Sequence, residues 1–359
     1  MKHILTFCLL ALAMTAAVTG TPRGNEPAVK AADDDVQLID ESEYDSVVVD
    51  SLGGVPVVAA FGVNDTMAYI ATEKEYDVAG SDTTVQMSVA VRYIMMVTAS
   101  TEDNYTMRLE VTDVEGVNDD FKSKMRATAF NAIKLFPVVV TTDFDGAKPK
   151  IVNWLEVGKR MLHACENCID SAFKANPQLG KVVKADAMKE LYSQTLTDEE
   201  GVNGTFDMLG LMFSNHGSEF SMGETSDTVA ATDDSPAYII KSYADYGRLD
   251  DEDKETEFDD DYFVLSKVSS KLDGKDVAPI VSGVMTALLK EKSGADKKAI
   301  DKELAKIKEI EVSHESNKFY YFNGWPKACQ EVTSTDLGIV KRVKRSQVTC
   351  GSFSWGNAH

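Results

Sequence analysis

The clearest pattern in the chain is a pair of segments in which apolar residues occupy alternate positions. The first runs from Val85 to Val97 and the second from Tyr105 to Val111, with the polar stretch Thr101 to Asn104 between them. Strict alternation is typical of strands with one buried and one wet face, a common property of antiparallel sheets. The pattern therefore predicts an antiparallel hairpin with a turn at residues 101–104.

Helical and strand-like patterns come in blocks rather than in strict alternation. Helices are predicted at Asp119 to Lys134, Asn153 to Ala175, Ala185 to Gln194, Thr205 to Phe213, Val277 to Lys292 and Ala299 to Ile310. Further strands are predicted at Val55 to Val63, Met67 to Ala71, Val138 to Val140, Glu219 to Thr225, Ala237 to Tyr243, Tyr262 to Val268, Lys318 to Phe322, Ala328 to Thr333 and Ile339 to Val348, with a turn at Asn64 and Asp65 between the first two. This order favours an α+β fold, with curved antiparallel sheets covered by helices.

Composition divides the chain into five predicted parts. Residues 1–20 form a signal peptide and residues 21–44 a flexible acidic linker. A β-rich subdomain follows at 45–152, central helices at 153–215 and an α+β subdomain at 216–359. We expect the central helices to join the two strand-rich subdomains.

The N-terminus has the pattern of a cleaved secretory signal. Lys2 precedes an apolar run from Ile4 to Met14, and small residues follow at Ala17 and Gly20. Later runs fall short of the roughly 18 apolar residues needed to cross a bilayer. We therefore expect an exported protein, periplasmic, cell-surface or extracellular, with no transmembrane span in the mature chain.

The net charge narrows the class of partner. A formal charge of −21 argues against a nucleic-acid partner, because phosphates would be repelled over most of the surface. A hydrophobic content of 43% is enough for a folded core in a chain of this length.

Four cysteines remain after removal of the signal peptide: Cys165, Cys168, Cys329 and Cys350. An even number in an oxidising compartment favours disulfides. The Cys165-x-x-Cys168 pair lies on or near the apolar side of a predicted helix. It could be a dithiol redox pair, half of a metal site, or two cysteines bridged to cysteines elsewhere.

Position in the helix favours the third hypothesis. Redox Cys-x-x-Cys pairs gain a low thiol pKa at the first turn of a helix, whereas Cys165 lies about three turns inside. A zinc site would need His163, which points away from Cys165 on a helix. A simple hairpin turn at Asp336 to Gly338 would place residue 329 opposite about residue 345 and Cys350 on the other face. We therefore expect the helix cysteines to pair with the strand cysteines.

Two charged runs suggest further sites. Asp250 to Asp261 contains nine carboxylates and one lysine, so it could bind Ca²⁺, but a solvated loop is the commoner explanation and the spacing of an EF-hand is absent. Lys341 to Arg345 is a basic run on a predicted strand, where it would protect a sheet edge or lie against the acidic run. The sequence contains no familiar catalytic motif, and we expect no cofactor.

Two stretches carry a resemblance, Phe136 to Trp154 (FPVVVTTDFDGAKPKIVNW) and Phe319 to Pro326 (FYYFNGWP). The chain here resembles exported bacterial α+β proteins whose domain has no assigned function. In outline it is distantly similar to periplasmic lipoprotein carriers. That resemblance implies a concave sheet able to hold acyl chains, and it carries over no functional residue.

These observations favour a non-enzymatic binding protein of the cell envelope, for an apolar or lipid-like ligand. The alternative is a secreted or surface protein that binds a protein or a glycan, and a hydrolase comes third. An unfilled apolar cavity would favour the first, a sealed core with an exposed aromatic patch the second, and a cleft gathering His with Asp and Ser or Cys the third. The predicted ligand face comprises Val85, Met87, Val89, Val91, Tyr93, Met95, Met107 and Leu109.

Overall fold

The computed structural model describes residues 53–116, 120–181, 184–230, 237–247, 261–273, 309–338 and 340–356. The predicted signal peptide, the acidic linker and the helix predicted at Val277 to Lys292 lie outside the described residues. Most of the helix predicted at Ala299 to Ile310 also lies outside them.

Strands make up most of the described chain. They are β1 (Gly54–Val57), β2 (Thr66–Ala79), β3 (Asp82–Ser100), β4 (Asn104–Gly116), β5 (Val138–Asp143), β6 (Lys150–Ile151), β7 (Ser218–Ser221), β8 (Gly223–Val229), β9 (Tyr238–Tyr246), β10 (Tyr262–Asp273), β11 (Glu309–Tyr320), β12 (Pro326–Asp336) and β13 (Lys341–Ser354). The helices are α1 (Phe121–Asn131), α2 (Trp154–Ala175), α3 (Ala185–Leu196), α4 (Glu199–Thr205) and α5 (Asp207–Phe213), and a short 3₁₀ helix spans Pro177–Lys181.

Eleven of the described strands form one open antiparallel sheet in the order β6-β5-β4-β3-β2-β13-β12-β11-β10-β9-β8. The fold is therefore α+β, with the sheet predominant. The two strand-rich regions are joined directly by the pairing of β13 with β2, in which Val348 lies opposite Ala71. The local sequence pattern gave no indication of this long-range strand pairing.

The predicted hairpin is confirmed. Ser100 pairs with Tyr105 at its end, and the turn falls at the predicted polar residues. Strand β11 was only partly predicted, since its first residues were assigned to a helix and to a loop. Polar residues dominate the stretch from Glu309 to Asn317, yet every one of them pairs with β10. Here, cross-strand hydrogen bonds in the middle of the sheet outweigh the low intrinsic strand propensity of these residues.

The helices pack on one face of β2, β3, β4, β12 and β13 and bury the main core there. The N-terminal cap of helix α1 is linked to the sheet by hydrogen bonds. The Asp120 carboxylate accepts a hydrogen bond from the Ser123 amide at 2.7 Å. The Ser123 hydroxyl in turn accepts one from the Ser88 amide of β3 at 2.9 Å. A side-chain cap of this kind satisfies an amide that the helix leaves free.

A second, smaller core lies where the two-stranded sheet β1-β7 meets β9, β10 and β11. Its centre is formed by Val55, Val57, Ala244, Tyr262, Val264 and Tyr320. None of the helices in the described part of the chain is long and apolar enough to span a membrane.

Candidate binding surface

The predicted apolar ligand face forms part of the protein core. Seven of its eight residues are buried under the helices: Met87, Val89, Val91, Tyr93, Met95, Met107 and Leu109. Val85 is exposed instead, because a β-bulge in the pairing of β2 with β3 interrupts the alternation next to it. The alternation was read correctly as one buried face, but the helices rather than a ligand fill that face.

A small cavity of about 30 Å³ lies between the helices and the sheet, room for roughly one water. Its lining includes the charged residues Glu73, Arg126 and Asp207, so it is not an apolar cavity. An acyl chain would not fit there.

The same charges form a network that fastens the helices to the sheet. Arg126 of α1 contacts Glu73 of β2 at 3.1 Å and Asp207 of α5 at 2.6 Å. Lys344 of β13 lies 3.0 Å from Glu73 and 3.4 Å from Asp207. Burial alone would raise the pKa of Glu73, but the charges of Arg126 and Lys344 outweigh burial and lower it to about 2.

The prediction that the basic run Lys341 to Arg345 protects a sheet edge is wrong. Strand β13 lies between β2 and β12, so the run does not protect a sheet edge. Arg342 is buried and donates two hydrogen bonds to Asp77 of β2, at 2.8 and 3.0 Å. The basic residues face carboxylates contributed by a strand more than 200 positions earlier in the sequence.

The four predicted disulfide partners, Cys165, Cys168, Cys329 and Cys350, are free thiols in this structure. Both helix thiols lie near Tyr192 of α3. Both strand thiols lie near Tyr69 and Tyr93 instead. The structure therefore does not bring the helix pair to the strand pair.

The register of β12 and β13 also differs from the prediction. Asp336 pairs with Lys341, which places Cys329 opposite Val348 rather than residue 345. Cys350 is two positions from Val348, so it shares a face with Cys329. The connection between the strands is longer than the predicted turn, and that difference shifted the register.

The structure shows no metal site among the described residues. No group of three or more His, Cys, Asp or Glu side chains there is placed to hold a metal ion. The acidic run lies outside the described residues except for Asp261, which contacts Lys327 at 2.7 Å. His163 is exposed, His314 is partly buried, and the Nε2 of buried His216 lies 3.0 Å from the Gly324 carbonyl oxygen.

Four neighbouring aromatic side chains form a partly exposed cluster on the surface of the main core. This aromatic patch consists of Tyr321, Phe322, Phe353 and Trp355. Phe322 is 54% exposed and Phe353 is 47% exposed, while the other two are partly buried. The Trp355 ring centroid lies 4.6 Å from that of Phe353, 5.7 Å from Tyr321 and 6.0 Å from Phe322. The patch is therefore one continuous surface.

Asp65 organises the backbone beneath the patch. It is fully buried, and its Oδ2 accepts hydrogen bonds from the Trp325 indole at 3.1 Å and from the Gly62 amide at 2.8 Å. Its Oδ1 accepts one from the Gly356 amide at 2.8 Å. One carboxylate thus ties the 321–325 loop and the C-terminal strand to the same turn.

Two glycines allow this close approach. A Cβ on Gly324, where φ is +84°, would lie 2.2 Å from the Val58 carbonyl oxygen. A Cβ on Gly356 would lie 2.0 Å from the Val63 carbonyl oxygen. The loop and the strand end therefore rest directly on the 58–63 backbone, and the Ala60 amide donates to the Asn323 carbonyl at 2.9 Å.

His216 completes the support of the loop. Its ring packs against Phe61 and Phe213, with centroid distances of 6.1 and 5.2 Å. Phe61 stacks on Trp325 at 4.2 Å. Burial lowers the pKa of His216 to about 4, so the ring is neutral at pH 7 and its Nε2–H donates to the Gly324 carbonyl.

Local sequence reasoning missed this site. Asp65 was interpreted as an ordinary turn residue, because its partners Trp325 and Gly356 are more than 250 positions away. The available signal was the concentration of aromatic residues in FYYFNGW (319–325) and in FSW (353–355). Several aromatic residues close together in sequence, next to polar turn residues, are what an aromatic cluster at the surface requires.

Comparisons with known proteins give only distant similarity. The sequence matches no known protein-family model and no curated protein. Among solved structures, a lipovitellin described by its lipid-protein interactions aligns over 83% of this chain with 9% identity and a TM-score of 0.38. An outer membrane channel from Pseudomonas putida F1 aligns over 82% with 6% identity and a TM-score of 0.14. The alignment covers only 26% of the lipovitellin chain. We draw no functional inference from similarity at this level.

Proposed function

We propose that this chain is an exported, non-enzymatic binding protein whose working surface is the aromatic patch, and that the ligand is a protein. The observation that carries the proposal is a contiguous set of four aromatic rings, two of them exposed, on a backbone that Asp65 ties together by hydrogen bonds. Exposed apolar patches on soluble folds mark interaction sites, and Trp, Tyr and Phe are enriched at the centres of protein interfaces.

The orientation of the rings favours a protein over a glycan. Trp355 is tilted by 85° from Tyr321, by 70° from Phe322 and by 39° from Phe353. The patch is therefore a three-dimensional apolar surface rather than a flat platform on which a sugar ring would stack. Tilted and edge-to-face rings fit the irregular shape of apolar side chains.

An apolar or lipid-like ligand held inside the fold, the first sequence-based hypothesis, has less support. The predicted ligand face is covered by helices, and the cavity of about 30 Å³ has room for roughly one water. A lipid-like ligand would instead have to bind at the surface. There, the aromatic patch is a better-defined apolar site than the interior offers.

Charge decides the kind of protein partner. The chain carries a net charge of −21, so a basic partner is steered toward it and an acidic one is repelled. The Lys327 ammonium lies 5.5 Å from the Tyr321 ring centroid, and its charge is balanced by Asp261 at 2.7 Å. We expect a partner that presents apolar side chains within a basic surface.

The test uses two amphipathic peptides with the same leucine face, one with lysine and one with glutamate on the polar face. The protein is labelled with 5-fluorotryptophan, and the fluorine resonances of Trp154, Trp325 and Trp355 are assigned with Trp→Phe variants. We expect the Leu/Lys peptide to shift the Trp355 resonance and to bind at least about tenfold more tightly than the Leu/Glu peptide.

Variants locate the contact. Trp355→Ala and Phe353→Ser should each weaken binding of the Leu/Lys peptide by about tenfold or more. Leu191→Ser, at a half-exposed leucine on α3, is the matched control and should leave binding unchanged. If neither peptide shifts Trp355, the proposal is wrong. If oligosaccharides or phosphatidylcholine vesicles shift it and the peptides do not, the ligand class is wrong.

A further inference from the structure

A leucine with a strained backbone protrudes from a different part of the molecule. Leu135, which follows α1, has a φ of +61° and is 67% exposed. Its amide donates a hydrogen bond to the Val111 carbonyl at 2.9 Å, which fixes this conformation. A positive φ is unfavourable for a bulky residue, and such strain is concentrated at functional positions. A glycine or asparagine would adopt this backbone conformation more easily. A leucine at this position therefore indicates that the side chain itself is needed.

Two other exposed apolar side chains lie on a segment that is held against the chain following Leu135. Val152 is 57% exposed and Leu155, in the first turn of α2, is 48% exposed. Asn153, between them, donates a side-chain hydrogen bond to the Pro137 carbonyl at 2.8 Å and accepts one from the Val139 amide at 2.9 Å. The two segments that carry these exposed apolar residues are thus joined by hydrogen bonds.

Basic residues surround this surface. Lys150 and Lys159 are exposed, and the Arg160 guanidinium lies over the Phe136 ring, 4.1 Å from its centroid. Glu156 is also exposed in the same turn of α2. Residues 134–160 contain five basic and three acidic side chains, in a chain whose net charge is −21. Lys134 and Lys148 are paired with Asp113 and Asp143. Among the residues of this surface, Lys150, Lys159 and Arg160 outnumber Glu156, which gives a local excess of positive charge.

We infer that this face, the basic edge formed by Leu135, Val152, Leu155, Lys150, Lys159 and Arg160, attaches the protein peripherally to an anionic lipid surface. Protruding leucines enter the boundary between head groups and acyl chains, and lysines and arginines around them meet the lipid phosphates. Each basic residue near an anionic surface strengthens attachment by roughly fivefold. The acidic remainder of the protein is repelled, so the molecule is oriented with this edge toward the bilayer.

A lipid surface fits the basic edge better than an acidic protein does. The apolar residues protrude from a loop and from the start of a helix, so they form a raised surface rather than a groove. The basic edge is carried by β5, β6 and α2, whereas the aromatic patch is carried by β13 and the 321–325 loop, with β4, β3 and β2 between them in the sheet. The inference is therefore independent of the proposed function of that patch.

Co-sedimentation with vesicles tests the inference. We expect the full chain lacking residues 1–20 to bind vesicles of phosphatidylcholine and phosphatidylglycerol at 7:3, and to bind pure phosphatidylcholine at least about tenfold more weakly. Raising NaCl from 20 mM to 0.5 M should remove most of the binding, because the Debye length falls to a few ångströms. Equal binding to both kinds of vesicle, or no binding to either, would overturn the inference.

Variants separate attachment from folding. Leu135→Gly should leave the thermal midpoint unchanged or raise it, since glycine accepts a positive φ, while vesicle binding falls by about tenfold. Lys159→Glu should weaken binding similarly. The controls are Leu191→Ser on α3 and Lys174→Glu at the other end of α2, which should bind as the parent protein does. If the acidic Leu/Glu peptide binds in a Leu135-dependent way and vesicles do not, the partner is a protein and the inference fails.

Discussion

The indole Nε1–H of Trp325 donates a hydrogen bond to the Asp65 carboxylate at 3.1 Å, although the two residues are 260 positions apart. The same carboxylate accepts a hydrogen bond from the amide of Gly356. Three donors therefore converge on one fully buried charge, and the aromatic patch stands on that junction. Rigid support of this kind limits the entropy lost when exposed rings bind a partner.

Replacement of Asp65 tests the junction. Asp65→Ala would leave the buried amides of Gly62 and Gly356 and the Trp325 indole without an acceptor, so we expect a loss of about 3–5 kcal/mol in the free energy of unfolding. Urea denaturation followed by circular dichroism measures this. Asp103→Ala, at an exposed aspartate in the β3-β4 turn, should change stability by less than about 0.5 kcal/mol. Equal effects of the two variants would contradict the role of Asp65.

His216 predicts a specific dependence of stability on pH. The unfolded chain protonates this imidazole near its ordinary pKa of 6.5, whereas burial lowers the folded pKa to about 4. Its contribution is therefore fully present above pH 6.5 and is lost as the pH falls toward 4, a total of roughly 3 kcal/mol. His216→Gln retains a donor for the Gly324 carbonyl and should lose less stability across this interval. Urea titrations from pH 7 to pH 4 compare the two proteins, and identical slopes would contradict the assignment.

The hairpin and the main core were predictable because alternation at every second residue reports burial directly. The predicted strands at 85–97 and 105–111 pair as expected, and their apolar residues are buried. What covers that face was not predictable from alternation alone. Helices and an acyl chain would both require the same apolar positions.

Long-range charge pairing was the main source of error. Arg342 and Lys344 belong to a basic run that is typical of an edge strand, yet β13 is in the interior of the sheet. Their charges are balanced by Asp77 and Glu73 on β2. A single sequence gives no indication that residues more than 250 positions apart neutralise one another, and the same limit concealed Asp65.

Glu73 should be essential for docking the helices on the sheet. At pH 7, Glu73→Gln leaves Arg126 and Lys344 to share Asp207, and we expect a loss of about 3 kcal/mol in the free energy of unfolding. Because the folded pKa is lowered to about 2 from 4.5, the contribution of Glu73 is present above pH 4.5 and is lost as the pH falls to 2. Denaturation with urea, which adds no salt, measures both effects.

An exposed pair provides the matched control for Glu73. Glu309 lies 3.0 Å from Lys271, and both side chains are solvent-exposed, so Glu309→Gln should cost less than about 1 kcal/mol. If Glu73→Gln costs no more than this control, the network does not hold the helices.

Thiol reactivity distinguishes free cysteines from the disulfides that the sequence predicted. Burial raises the pKa of Cys165 and of Cys329 to about 12, and both side chains are buried, whereas Cys168 and Cys350 are partly exposed. With N-ethylmaleimide and no reductant, we expect Cys168 and Cys350 to react first and the buried pair to react only as fast as the protein unfolds. Peptide mass spectrometry measures the labelled fraction at each position. Four thiols that become reactive only after reduction would show instead that disulfides form in the native protein.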